Sequence, residues 1–161
     1  MILEGPDNAG KSTLAKAIGD KFNWPIIGSE GREKYPGEIN ERIKRYMDLH
    51  QNNVIYDRHP CVSQEIYRVL HGKSAVETDL IKQFYESEPL FIYCRPAVGR
   101  GMKGHIARDD DSPEYLQMLE KKYGDLLRLY DAWALNHAQV VYRIEDNSLD
   151  MIIDFIRGAV S

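Results

Sequence analysis

Cysteine is scarce in this chain. Cys61 and Cys94 are the only two among 161 residues, and their spacing matches no zinc or thioredoxin-type motif. Two reduced thiols in a cytosolic protein are therefore expected. The five histidines form no ligand set, which argues against structural zinc. No apolar run reaches the length of a membrane span. The first residues read as strand and loop rather than as a signal peptide, so cytoplasmic residence is expected. Repeats, low-complexity tracts and linkers are missing, so residues 1–161 are expected to form one domain. Excess positive charge is missing too. Twenty-one Lys and Arg against 25 Asp and Glu leave a net charge of −4 and a pI of about 5.7. That balance argues against a duplex nucleic-acid binder. It leaves room for a local basic site that takes a small anion.

What is present suffices for a core. A chain of this size buries roughly 68–70% of its unfolded surface, so no staple is required. Five short apolar runs stand out, at Met1–Leu3, Pro25–Ile27, Val54–Tyr56, Leu90–Cys94 and Val140–Ile144. Helix-like segments separate them. Strand alternating with helix predicts an α/β fold with a parallel sheet covered on both faces. After the first run, Leu14, Ala15, Ala17, Ile18 and Phe22 recur at helical spacing. Helices are also expected over Glu38–His50, Val62–Leu70 and Val76–Tyr85. A long one should start at Ser112-Pro113, with Ser as N-cap and Pro at the first helical position. Its apolar stripe is Leu116, Leu119, Tyr123, Leu127 and Tyr130. A last helix should begin at Asn147-Ser148.

The first chemical signal is Gly5-Pro6-Asp7-Asn8-Ala9-Gly10-Lys11-Ser12. It fits G-x-x-x-x-G-K-[ST], the Walker A loop of a P-loop NTPase. Glycines permit backbone angles that a side chain forbids, so successive N–H groups turn inward as an anion nest. Asn8, Ala9, Gly10, Lys11, Ser12 and Thr13 would then line the phosphates of ATP. Lys11 adds a point charge and Ser12 a hydroxyl for Mg²⁺. The helix that follows aims its positive end at the same phosphates.

A second signal is Asp57-Arg58-His59-Pro60, directly after the third apolar run. Ligands of open parallel sheets bind outside the carboxyl ends of the strands. Asp57 would therefore lie near Ser12 and help hold Mg²⁺. Arg58 on the same edge could grip a second phosphate, and His59 could touch the acceptor.

These residues carry a resemblance. Glu4–Leu14 is close to E-G-x-D-x-A-G-K-[ST]-T, and Asp57-Arg58-His59 with Ser63 and Tyr67 is similar to D-R-[YHS]-x-x-S-x-x-x-Y. Together they resemble the thymidylate-kinase-like branch of the P-loop nucleoside monophosphate kinases. The short length and the Asp-Arg-His-Pro form look most like small phage-encoded members. The resemblance implies a five-stranded parallel sheet with the Walker strand central, and transfer of the ATP γ-phosphoryl to a (deoxy)nucleoside monophosphate. It implies that Asp7 approaches both Mg²⁺ and the acceptor sugar, and that Arg58 clamps the acceptor phosphate. Tyr67 would pack under the sugar and disfavour a 2′-hydroxyl. Dimers in the family make a homodimer an option. Three departures stand out. Ser63 lies six residues after Asp57 instead of five, although its spacing to Tyr67 is kept. The family's Arg-Glu-Pro-Gly loop is missing. Gly31-Arg32-Glu33 lies in that region, so Arg32 is either a second phosphate contact or a solvated loop charge. Asn8 stands where some members carry a basic residue.

A third signal follows the fourth apolar run. Residues 97–112 contain few apolar side chains but carry Arg100, Lys103 and Arg108 among glycines. Cations over a transferring phosphoryl group are worth about 10³–10⁵ in rate, and glycines allow closure. A basic lid is the expectation, with Arg100 and Arg108 as its catalytic candidates. After the last apolar run, Arg143 could stack on the adenine of ATP, or belong to surface charge near a helix cap.

Three rivals remain. A nucleoside kinase needs a carboxylate base, and Glu4 and Asp7 could each serve. A nucleotide switch would want an N-K-x-D motif and a D-x-x-G after the third strand, and neither is present. A polynucleotide kinase sits poorly with the acidic balance.

Overall fold

The computed structural model describes residues 1–49, 53–97, 111–146 and 149–160. Five strands alternate with helices. They are β1 (Ile2–Glu4), β2 (Ile26–Ile27), β3 (Ile55–Asp57), β4 (Phe91–Cys94) and β5 (Val140–Tyr142). All pair in parallel, in the order β2-β3-β1-β4-β5. The Walker strand is therefore central, as expected. Its residues align Leu3 with Asp57 on one side and Ile92 on the other. That register brings the chain after β1 level with the chain after β3.

Side chains alternate across a strand, so each strand feeds two cores. Ile2, Tyr56, Phe91 and Tyr93 pack into one, with α2 (Glu38–Asp48), α3 (Pro60–His71), α4 (Thr78–Glu86) and α5 (Pro113–His137). Leu3, Ile55, Ile92, Cys94 and Tyr142 pack into the other, with α1 (Lys11–Phe22) and α6 (Leu149–Val160). Burial on both faces explains why the strands read as continuous apolar runs rather than as alternation.

Helix starts follow their local chemistry. Ser112 Oγ accepts the Tyr115 N–H at 3.1 Å, and Pro113 sits in the first turn of α5. For α3 the cap is His59, whose Nδ1 accepts the Cys61 N–H at 3.3 Å. That cap moves the start back to Pro60, two residues before the apolar pattern begins. At the other end of the sheet, β5 stops at Tyr142 and residues Ile144–Asp146 form a 3₁₀ turn. The strand expected through Ile144 is thus shorter. The Asn147-Ser148 start of the last helix lies outside the described residues. Among the described residues, no helix is long and apolar enough to cross a membrane.

Candidate functional site

The Walker loop leaves β1 and runs against β4. A Cβ on Gly5 would lie 2.1 Å from the Cys94 carbonyl oxygen, so no other residue fits there. Asn8 and Gly10 both take positive φ, at 62° and 78°, and the chain enters α1 with no side-chain cap and no acid in the first turn. The first N–H groups of α1 are thereby left for an anion. Ala9 is buried in the core beside α6, so only its backbone can serve a ligand. Thr13 is exposed one turn further on.

Lys11 is only 8% exposed, and its ammonium donates to the Pro6 carbonyl at 2.6 Å. Burial first, then the neighbouring Arg58 charge, brings its pKa down to about 8. Ser12 Oγ donates to Asp57 Oδ2 at 2.5 Å. This pair joins the start of α1 to the end of β3, as the Leu3–Asp57 register dictates. Hydroxyl and carboxylate oxygens suit Mg²⁺, which keeps most of its waters and takes phosphate oxygens for the rest. Ser12 and Asp57 fit that role.

Arg58 follows Asp57 with a left-handed backbone, φ 72°. Its Nη2 donates to Asp7 Oδ1 at 3.0 Å, to the Tyr67 hydroxyl at 3.0 Å and to the Gly5 carbonyl at 3.3 Å. Tyr67 in turn donates to Asp7 Oδ2 at 2.7 Å. Burial alone would raise the Asp7 carboxyl. Arg58, Tyr67 and Lys11 overcome that and hold it well below the usual carboxylate range. The Arg58 Nε is buried and meets no acceptor among the described residues. A buried guanidinium N–H without a partner is unusual.

A cavity opens beside this triad. Arg32, Arg58, Ser63 and Tyr67 line it together with Glu30 and Gln64. Four residues that the sequence scattered over 36 positions are thus brought to one place. Arg32 sits 4.3 Å over the Tyr115 ring and 3.9 Å from Asp111. It is a partly exposed loop cation with partners on α5 and just before it. Ser63 donates its hydroxyl to the His59 carbonyl at 3.2 Å, one turn before Tyr67 on α3.

His59 does not belong to this cavity. It is fully buried, stacks on Phe84 at 4.2 Å and caps α3. The expectation of an acceptor contact is corrected: a ring that closes the core and holds a helix start cannot reach a ligand. The same applies to Glu4 as a base. It is 0% exposed, accepts the His59 N–H at 2.6 Å and the Tyr130 hydroxyl at 3.2 Å. Burial pushes its pKa up to about 7, against the pull of that N–H and of Arg58 and Lys11.

Arg143 lies on the far side of the loop, 49% exposed and 3.9 Å from Asp146. With Arg95, Pro96, Ala97 and Glu145 it lines an open shelf past β4 and β5. A Cβ on Gly10 would come within 3.3 Å of Ile144, so this shelf abuts the phosphate loop. Arg100, Lys103 and Arg108, the expected lid cations, lie outside the described residues.

Sequence reasoning misses what the α5 tyrosines do. Tyr123 donates to the Asp7 carbonyl at 2.7 Å and Tyr130 to Glu4. Helical spacing marks both only as members of an apolar stripe. A signal exists, because a buried tyrosine needs a partner where leucine or phenylalanine does not. Arg42 is missed as well. It donates to the Gly31 carbonyl at 3.0 Å and to Glu38, tying the loop before α2 to α2 itself.

No protein-family model and no curated protein matches the chain. Solved structures do. The YorR protein of Bacillus subtilis, in complex with phosphorylated GDP, is 23% identical, covers 99% of this chain and 94% of its own, and superposes with a TM-score of 0.64. A deoxyadenosine kinase from M. mycoides with bound dATP is 17% identical over 97% of this chain and 98% of its own, TM-score 0.60. A thymidylate kinase from Candida albicans is 16% identical over 98% and 90%, TM-score 0.54. The chain has the fold of the P-loop kinases. Likeness at these identities carries the fold alone, and the two enzymes' names give one nucleoside and one nucleotide acceptor.

Proposed function

We propose that this chain is an ATP- and Mg²⁺-dependent kinase of deoxynucleoside monophosphates. The observation that carries the reading is Arg58. Its Nη2 is anchored by Asp7, Tyr67 and Gly5, while Nε finds no acceptor among the described residues. A guanidinium preset in this way, bonded to the Walker loop through Gly5 and Asp7 while it lines the cavity beyond, would supply a second anion site next to the first. Donor phosphates on one side and an acceptor phosphate on the other are what a monophosphate kinase needs.

The chemistry is then in-line displacement. An acceptor phosphate oxygen forms a bond to the γ-phosphorus as the bond to the β–γ bridging oxygen breaks, and ADP leaves. The attacking oxygen is already anionic, so no strong base is required and positioning with charge neutralisation dominates. Lys11 and the α1 N–H groups neutralise the donor phosphates. Arg58 orients the acceptor, with Arg32 and Ser63 at the same cavity. Asp7, held ionised, fixes Arg58 and Tyr67 beside the sugar. Bound Mg²⁺, held by Ser12 and Asp57, would offset charge on the phosphates. Arg100 and Arg108 complete the charge over the transferring group, and Arg143 borders the adenine. Small-molecule nucleotides are the partners. One domain in the cytoplasm, with a homodimer as an option, goes with this reading, as does a thymidylate-kinase-like and phage-like origin.

A nucleoside kinase stays as a second reading because of one residue. Glu30 lines the acceptor cavity as a carboxylate, held by the Tyr46 hydroxyl at 2.6 Å and by Arg45 at 3.2 Å. An ATP-coupled screen of deoxynucleosides and their monophosphates separates the two. Monophosphates alone should release ADP with the wild type, and Lys11→Ala should abolish it. Turnover with nucleosides, lost in Glu30→Gln, would replace the first reading with the second. Arg100→Ala or Arg108→Ala should lower kcat with little change in ATP binding; if neither does, the lid assignment fails.

A further inference from the structure

We propose that Glu4 is a positioning residue for the acceptor clamp: its buried carboxylate is the acceptor that holds the His59 N–H and so sets the corner that aims Arg58. The proposal rests on the kinase reading above, but its first test does not.

The ladder between β1 and β3 creates the need for such a device. The Tyr56 N–H donates to the Met1 carbonyl at 2.9 Å and the Arg58 N–H to the Leu3 carbonyl at 3.0 Å. The next rung would join the Gly5 carbonyl to the N–H of residue 60. Residue 60 is proline and has none. The Gly5 carbonyl is thus left without its rung, and the His59 N–H, which lies past the end of β3, needs an acceptor of its own; the structure resolves both through Arg58. Its left-handed backbone, φ 72°, turns the following N–H, that of His59, towards β1. There Glu4 Oε1 accepts it at 2.6 Å. The Gly5 carbonyl, left without its rung, accepts the Arg58 guanidinium at 3.3 Å. Arg58 is thus held at both ends by β1 and its continuation.

Without Glu4 the corner loses its anchor. A positive φ on a non-glycine residue is strained, and a buried N–H without an acceptor adds its own penalty. Relaxing the corner towards extended backbone relieves both. That rotation carries the Arg58 side chain away from Asp7 and Tyr67. Tyr130 completes the device from α5 by donating to the second oxygen of Glu4 at 3.2 Å. The carboxylate is therefore fixed at both oxygens; it is 0% exposed and lines neither the acceptor cavity nor the shelf past β4 and β5. Its action is through Arg58.

Three variants test this. Glu4→Gln keeps an oxygen for the His59 N–H. Glu4→Met keeps the volume and removes the acceptor. Tyr130→Phe loosens the carboxylate without opening a cavity. The first readout is hydrogen exchange at the His59 amide, followed by NMR, which needs no substrate. Exchange should stay near wild type in Glu4→Gln and rise at least about tenfold in Glu4→Met. The second readout is the split between the two Michaelis constants. Glu4→Met should raise the acceptor KM about tenfold or more and leave the ATP KM within about threefold, with Glu4→Gln close to wild type. Tyr130→Phe should move both readouts in the same direction by a smaller factor. An unchanged His59 amide in Glu4→Met overturns the proposal. So does an equal rise in both Michaelis constants, or a Glu4→Gln variant as impaired as Glu4→Met. If Glu4→Met does not fold, a Tyr130→Phe variant with wild-type exchange and wild-type acceptor KM overturns it instead. A wild type that turns over no monophosphate defeats the kinase reading, while the exchange contrast still decides the corner.

Discussion

Arg58 and Arg143 both follow the carboxyl end of a strand, yet the fold treats them differently. Arg58 leaves β3, a neighbour of the central strand, and meets groups from three other segments: the Walker loop, β1 and α3. Its side chain is 12% exposed. Arg143 leaves β5, the edge strand, and is 49% exposed beside its own Asp146. A side chain at the middle of the sheet is surrounded by long-range partners that fix its direction before a ligand arrives. One at the edge stays more open to solvent, so ordering it on a ligand carries a larger entropic cost. Under the proposed kinase reading, the contrast corresponds to a preformed acceptor clamp and a more open shelf for the donor base.

The largest expected effect is on the fixed side. Arg58→Ala removes one partner of a buried pair and leaves Asp7 uncompensated, a loss of about 2–5 kcal/mol. The acceptor KM should rise by roughly 30-fold or more while the ATP KM changes little. A rise shared equally between both substrates would break the contrast. Asp7→Asn comes next. It keeps the shape and removes the charge that holds Arg58 and Tyr67, so the acceptor KM should rise about tenfold, within the 1–3 kcal/mol of a charged hydrogen bond. Calorimetric titration with an acceptor monophosphate would show the same loss without turnover.

A smaller effect sharpens the electrostatic half. Burial brings Lys11 down to about 8 in the free protein. Phosphates raise it again, so ATP binding takes up a proton once the pH passes about 8. The affinity for ATP should fall as pH rises through that value, by up to about tenfold per unit. Calorimetry in buffers of different ionisation heat should show proton uptake above about pH 8 and none near pH 6.5. Identical heats at the higher pH would remove Lys11 from the account. The smallest effect belongs to Arg143→Ala, which should change the ATP KM by no more than about threefold, as expected of an exposed charge. A tenfold rise would show that the shelf is held as firmly as the clamp.

Much of this architecture is legible in the sequence alone. Apolar runs of three to five residues separated by amphipathic helices predict a parallel sheet, because strands buried on both faces leave little room for polar positions. Gly5, Gly10, Lys11 and Ser12 predict a phosphate loop, because backbone angles and charge are properties of individual residues. Asp57 beside Ser12 is legible from the strand that precedes it. His59 misleads, because its neighbours Asp57 and Arg58 carry chemistry and nothing local says that the next ring turns inward. Glu4 misleads for a similar reason: a carboxylate beside a Walker loop looks reactive until its partners, His59 and Tyr130, are placed. Tyr123 and Tyr130 give the right helix face and no hint of what their hydroxyls reach. Those partners lie 116 and 126 residues away.

Local rules thus settle what the backbone alone can do. The order of elements, the loop that cradles phosphate and the caps on α5 depend on neighbours within one turn or one strand, and the chain specifies them by itself. Which cation is buried and which is exposed depends on the β2-β3-β1-β4-β5 order. Only that order sets Arg58 against Asp7 and Gly5, buries Glu4 under His59 and leaves Arg143 at the rim.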